Sequence, residues 1–444
     1  MKMRQAAAAA KTITAAEAAA MVKSGMWIDY LGSINQPDVF DRALGERISE
    51  LSNLKLRSTV SMRPRAVMEN DPEGRHVHMI SLHMGSYDRR LHEQGRCSYT
   101  PLNLGEISDY YRRFIPPVDI VIFKARPLAD GVFNVGPTNV WLRAVLEQAR
   151  LVIIETCSAL PFAFGEGTDI HLSEVDYIIE GDDSPVPELP NPAPTEVDKA
   201  VARLIISEIE DGACLQIGIG GMPNAVCGML ASAGIKDLGV HTEMLTDGIA
   251  ELYRAGQING TRKALDPGKI IYCFAAGTKP LFDTVDRNPD FWCHPAEYTN
   301  SPHIVMQNPK VTAINSTTQI DLTGQAASES DGNRHLTGTG GQAQFVRGAY
   351  ASEGGKSFIC LPSTYDKKGD RRSRIVFNLT QGNIVTTTRA DMMYVVTEYG
   401  IVNLKGKSVP ERARALIGLA HPDFREGLER QAYENRLIPR GFSF

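Results

Sequence analysis

At 444 residues the chain is too long for one ordinary hydrophobic core, so two or three domains are expected. With 43% hydrophobic and 22% charged residues it falls outside the disordered and fibrous classes. A formal net charge of −5 removes any general electrostatic case for nucleic acid or an anionic membrane, while leaving room for a local basic patch on a phosphate.

The opening Met1–Ala10 holds an alanine run that resembles a signal-peptide core, but Lys11 interrupts it and Thr14-Ala-Ala-Glu17 has the pattern of a helix capping box. No stretch approaches the roughly 18 uninterrupted apolar residues of a membrane span. The seven cysteines, at 97, 157, 214, 227, 273, 293 and 360, form no C-x-x-C pair and read as buried thiols of a reducing compartment. A cytoplasmic protein is therefore expected. His76, His78, His83 and His92 suggest a metal site, yet no carboxylate or cysteine shares their spacing, and no metal is expected.

In the front half, Val118–Ala125 and Leu151–Glu155 read as buried strands, with helical spacing over Asn139–Ala149 between them. Gly181–Asp198 carries five prolines between positions 185 and 194, which deny it a helix or a sheet ladder. The expected division is a domain over 1–185, a linker over 186–198 and a second domain over 199–444. Beyond the linker, Ala213–Ile217, Ile270–Ala275, Phe358–Leu361 and Met393–Val396 are strand-like, and Glu196–Ile209 and Val409–Leu419 are helical. Strand alternating with helix predicts an α/β fold in two layered domains with largely parallel sheets.

Three segments point to chemistry. Leu215–Ala225 follows a strand and reads L-Q-I-G-I-G-G-M-P-N-A; Gly218, Gly220 and Gly221 let backbone amides approach a ligand, and Pro223 suits the first turn of an anion-favouring helix. A dinucleotide fingerprint competes here, with Glu243 at the distance of a ribose contact, but Pro223 stands where its third glycine belongs. A ligand-free glycine turn is the plainer alternative. His241-Thr-Glu-Met-Leu-Thr-Asp-Gly248 places Glu243 at a strand end, where α/β proteins put ligand chemistry; an ordinary capping glutamate competes with a functional one. Leu336–Phe345, L-T-G-T-G-G-Q-A-Q-F, again offers amides to a phosphate or an oxyanion. Gly406-Lys-Ser408 mimics the end of a P-loop, but five residues separate Gly400 from Gly406 where four are required.

Together these segments resemble the acetyl-CoA hydrolase/transferase family, in its branch of butyrate and 4-hydroxybutyrate CoA-transferases. The resemblance is carried by G-I-G-G-M-P-N-A-V (218–226), H-T-E-M-L-T-D-G (241–248) and G-T-G-G-Q-A-Q-F (338–345). S-R-I-V (373–376), Y-V-V-T-E-Y-G-I-V-N-L-K-G-K-S (394–408) and A-H-P-D-F-R (420–425) follow in the family's order. It spans nearly all of 200–430; before the linker it is looser, on N-Q-P-D-V-F (35–40) and I-H-L-S-E-V-D-Y-I-I-E (170–180).

The resemblance implies a class I CoA-transferase fold of two tandem, related α/β domains. It implies Glu243 as the covalent nucleophile. The CoA-contacting residues it implies are Gly220, Gly221, Met222, Pro223 and Asn224, then Gly340, Gly341 and a lysine, taken as Lys367 rather than Lys368. Glu398, in V-T-E-Y-G, is the rival nucleophile. The ordinary glutamate pKa of about 4.3 would leave Glu243 ionised at neutral pH without a base.

Expected partners are acyl-CoA and short-chain carboxylic acids, with no nucleic acid and no membrane, in a homo-oligomer. No cofactor is bound permanently; the CoA thioester is substrate. Acetate, propionate, butyrate and 4-hydroxybutyrate fit the branch, as does itaconate with succinyl-CoA. Gln344, and L-P-F-A-F-G at 160–165, depart from the usual pattern and bear on acyl preference. Arg63, Arg65, Arg89 and Arg90 are candidates for a second carboxylate, against the simpler reading of solvated arginines. A hydrolase on the same scaffold, a nucleotide-dependent oxidoreductase and a non-catalytic acyl-CoA sensor remain the alternatives.

Overall fold

Long apolar runs with few interspersed charges dictate strands buried on both faces, and the computed structural model, which describes residues 10–441, is built on such strands. Residues 1–9, most of the alanine-rich opening, lie outside the described residues. The chain forms two compact units: Met1–Pro190 with Ile271–Thr299, and Asn191–Ile270 with Asn300–Phe444. The division falls inside the expected linker. The expected continuous domain over 199–444 differs from this arrangement, because 271–299 packs with the first unit; a segment's own periodicity carries no record of which core it joins.

In the first unit the main strands are β1 (Lys11–Thr12), β2 (Trp27–Gly32), β3 (Leu54–Thr59), β4 (Val77–Ser81), β5 (Cys97–Tyr99), β6 (Ile120–Pro127), β7 (Leu151–Thr156) and β8 (Tyr177–Ile179). Among the described residues they lie in the order β1-β8-β7-β6-β2-β3-β4-β5, every neighbour parallel. Residues Ile120–Ala125 of β6 are buried in succession, as a central parallel strand requires. The helix forecast between β6 and β7 spans Leu142–Gln148, and the capping box at Thr14 and Glu17 forms with both reciprocal bonds.

The second unit opens on the helix Glu196–Ile206, capped by Thr195 and Asp198. Its principal strands are β9 (Cys214–Ile217), β10 (Gly239–His241), β11 (Val311–Ser316), β12 (Lys356–Cys360), β13 (Tyr394–Thr397) and β14 (Gly400–Asn403). They run β10-β9-β11-β12-β13-β14, parallel up to β13, with β14 antiparallel at the edge. Ile270–Ala275, expected as one strand, is two short ones, Ile270–Tyr272 and Phe274–Ala275. The helix Val409–Leu419 has the expected bounds. All seven cysteines are buried and free. Among the described residues no helix is long and apolar enough to cross a membrane.

The front-half polar candidates resolve into local pairings. Arg63 and Arg65 both reach Asp38, at 2.8 and 3.1 Å, and Arg90 pairs with Glu69 at 2.9 Å. His76 and His78 bond the Leu51 carbonyl and the Ser98 hydroxyl.

Candidate active site

In a parallel sheet the strand C-termini converge on one edge, where loops are free to carry chemistry. β9, β10, β11 and β12 of the second unit each deliver a polar or glycine-rich loop there. After β9 the chain passes through Gly218–Gly220, and Gly220 adopts φ 119° as the N-cap of the helix Gly221–Leu230. A Cβ at 220 would be strained in that conformation, which is why glycine stands there. The first-turn N–H groups of this helix have no helical acceptor and suit an anion. Met222 and Pro223 are buried in its first turn. Asn224 donates to the Pro192 carbonyl at 3.1 Å and to Asn191, tying this helix to the proline-rich segment.

β10 ends at the fully buried His241, and the Thr242 hydroxyl donates to the Met244 carbonyl at 3.0 Å, turning the chain so that Glu243 leaves the strand edge. Its Oε2 accepts a hydrogen bond from Asn300 Nδ2 at 2.5 Å, and the backbone N–H of Gly341 also donates to the carboxyl. Gly341 is the N-cap of the helix Gln342–Ala351, whose N-terminal dipole favours a negative charge. Burial opposes this and dominates, pushing the Glu243 carboxyl up to about 7 against the bonds to Asn300 and Gly341 that lower it. The expectation of an ordinary, fully ionised glutamate is therefore corrected: desolvation by the protein packed around it leaves Glu243 poised near neutrality.

Gly341 is required by proximity rather than by its backbone angle. A Cβ built there would run into both Glu243 Oε2 and Asn300 Nδ2. Gly340, at φ 58°, provides the left-handed turn immediately before it. The second glycine loop and Glu243 are thus brought into direct contact. Asn300 was not singled out by the sequence; it sits in Thr-Asn-Ser-Pro (299–302), a turn-like run that resembles many others.

Lys367 is exposed on the hairpin Thr364–Lys367/Asp370–Ser373, which follows β12. Lys368 and Gly369, at φ 55° and 83°, form its two-residue turn. Glu398, the rival nucleophile, accepts from the Ser363 N–H at 2.9 Å and from its hydroxyl at 2.6 Å. Both its oxygens are thus engaged by Ser363, in the turn after β12.

Family models for the acetyl-CoA hydrolase/transferase N-terminal and C-terminal domains match residues 1–190 and 277–432. A butyryl-CoA:acetate CoA-transferase of Anaerostipes caccae is 45% identical, over 97% of this chain and 97% of its own. A 4-hydroxybutyrate coenzyme A transferase of Clostridium kluyveri is 38% identical, covering 94% and 96%. An acetyl-CoA hydrolase of Candida glabrata is more distant, at 27% identity over 96% and 89%. Among solved structures, RipA from Yersinia pestis superposes with a TM-score of 0.87 at 35% identity, covering 96% of this chain and 98% of that one. A 4-hydroxybutyrate CoA-transferase from Porphyromonas gingivalis gives 0.77 at 32%, with the same coverage. With both of its domain models matched in order and relatives of this identity along nearly its whole length, the chain belongs to the acetyl-CoA hydrolase/transferase family.

Proposed function

We propose that the protein transfers CoA between an acyl-CoA (acetyl-, butyryl- or succinyl-CoA) and a short-chain carboxylic acid (butyrate, 4-hydroxybutyrate or itaconate), by ping-pong catalysis through Glu243. One observation carries this: a desolvated carboxyl held by a side-chain amide and a helix-capping N–H at a strand end. The ionised Glu243 attacks the acyl-CoA carbonyl; the C–S bond breaks, leaving an acyl–glutamyl anhydride and CoA thiolate. The thiolate then attacks the glutamyl carbonyl, giving the enzyme–CoA thioester and releasing the first carboxylate. The second acid reverses these steps, so no water and no net redox change is involved.

Each addition builds an oxyanion. The Asn300 amide and Gly341 N–H already touch a Glu243 oxygen, so they are placed to stabilise charge that develops on the glutamyl carbonyl. The backbone amides of Gly220, Gly221 and Asn224 at the first helix, and Gly340 in the second loop, are the proposed contacts for CoA, with Lys367 as a phosphate contact. Met222 and Pro223, buried in that first turn, are proposed to shape the same contact. Three relatives named as transferases, at 38–45% identity, are more similar than the two named as hydrolases, at 27% and 30%, which supports transfer over hydrolysis. The proposed setting is the cytoplasm, with a homo-oligomer and no permanently bound cofactor.

The test is to mix the pure protein with acyl-CoA, with and without acceptor acid, and follow the CoA esters. A new acyl-CoA is expected only when acceptor is present. Equal loss of acyl-CoA with and without acceptor would establish a hydrolase instead.

A further inference from the structure

The glycine loop that caps the helix Gln342–Ala351 is a poor candidate for holding its own shape. In Gly338-Thr339-Gly340-Gly341 only Thr339 has a side chain, and Gly340 is in the left-handed region. A donor that stabilises charge must be fixed before the charge appears, since reorientation during the reaction forfeits the benefit. Something outside the loop must therefore anchor it.

The anchor is visible in the preceding excursion. The strand Ala326–Ala327 pairs with Gln319–Asp321, and the chain then runs through Ser328 and Glu329 into the hairpin Ser330–Asp331/Arg334–His335. Glu329 accepts the Leu336 N–H on its backbone carbonyl at 2.9 Å, closing this excursion at the mouth of the glycine loop. Its carboxyl is buried, at 4% exposure, and each oxygen accepts a threonine hydroxyl: Oε2 from Thr339 at 3.1 Å and Oε1 from Thr386 at 2.9 Å. Thr386 is itself fixed, its N–H bonded to the Ala326 carbonyl at 2.9 Å. The adjacent Thr387 hydroxyl accepts from Gln342 Nε2 at 2.9 Å, on the first residue of the capped helix.

We infer that Glu329 is a positioning residue for catalysis: by joining Thr339 to Thr386 it holds the Gly341 N–H on the Glu243 carboxyl. The inference rests on the reading of Glu243 as nucleophile. A carboxyl suits the task because it accepts two hydroxyl protons at once at fixed separation, whereas a shorter or apolar side chain cannot join Thr339 to Thr386. Only Gly340 stands between the held residue and the catalytic N–H, so slack at Thr339 is transmitted directly.

The experiment compares Glu329→Ala, Glu329→Gln and Thr339→Val with the wild-type enzyme in kcat, KM for acyl-CoA, and the pH dependence of kcat/KM. For Glu329→Ala, kcat is expected to fall on the order of a hundredfold, the cost of about 1 Å of misplacement. KM should stay within about threefold, because the interaction acts on the reacting centre rather than on uniform binding. The apparent pKa should rise, because the N–H that favours the anionic carboxyl is no longer held in place. Thr339→Val should lower kcat and raise the apparent pKa by less, with KM again little changed, and should add nothing in the Glu329→Ala background. Glu329→Gln should recover part of the activity, its amide still bridging the two hydroxyls. The inference is overturned if activity falls only in proportion to folded protein with the apparent pKa unmoved, or if Thr339→Val matches the wild type. If Glu329→Ala yields no folded protein, Thr339→Val decides alone. A wild-type enzyme without transfer activity, or one unimpaired by Glu243→Gln, would instead count against the functional reading.

Discussion

Replacing Gly341 with alanine isolates the contact on which the site is built. The backbone at 341, φ −101° and ψ 3°, is open to alanine, so no conformational strain confuses the result. The added Cβ nevertheless overlaps Glu243 Oε2 and Asn300 Nδ2 together, and restoring ordinary van der Waals contact requires a retreat of about 1 Å. Asn300 is fully buried and cannot swing into solvent, so the overlap is relieved only by moving the 341 backbone and the Glu243 carboxyl apart. A displacement of about 1 Å at a reacting centre costs on the order of a hundredfold, or about 2.7 kcal/mol of barrier. Steady-state transfer between two acids, with thermal unfolding measured in parallel, reads this directly. The variant should keep its fold and lose roughly a hundredfold in kcat. Activity within about threefold of wild type would refute the geometry on which the mechanism stands.

Because burial raises the Glu243 carboxyl to about 7, and the nucleophile is the ionised form, kcat/KM of the free enzyme should rise about tenfold per pH unit below 7 and level off above it; a profile flat from pH 5 to 8 (roughly the range in which such a group titrates) would contradict this. Asn300→Leu removes a donor to the charged form and should move that inflection upward by roughly 1–2 pH units, read from the same profile. A raised carboxyl makes the folded state the tighter proton binder, so its contribution is fully present below the unfolded-state value of about 4.5 and is lost as pH climbs to about 7. Glu243→Gln should accordingly be more stable than wild type at pH 8, by roughly 3 kcal/mol, and equal to it below about pH 4, as measured by denaturant unfolding. Lys367→Ala should raise KM for acyl-CoA several-fold at low salt with kcat unchanged, an effect that fades at high ionic strength if the lysine meets a phosphate.

Much of the fold was legible because its strands are central parallel strands whose residues are nearly all apolar, as in Ile120–Ala125 and Cys214–Ile217. A helix start was legible where a capping box announced it, at Thr14. The packing of 271–299 with the first unit was not, since tertiary partnership leaves no local periodicity. At the site, the glycine runs and Glu243 stood out because their chemistry is unusual in a row of residues. Asn300 and Glu329 act across 57 and 10 residues of chain, on Glu243 and Thr339, within ordinary polar surroundings. The near-neutral carboxyl was likewise hidden, because desolvation is a property of the assembled pocket and not of the sequence around residue 243.

The covalent role of Glu243 is tested most directly by trapping. Incubating the enzyme with acyl-CoA alone leaves no second acid to discharge the intermediate, so an enzyme–CoA thioester should accumulate. Borohydride should reduce it to an alcohol, and hydroxylamine should convert it to a hydroxamate, with peptide mass spectrometry placing either product at residue 243. Glu243→Gln should give neither product while still binding CoA. An adduct mapped to Glu398, or transfer activity surviving in Glu243→Gln, would contradict the account.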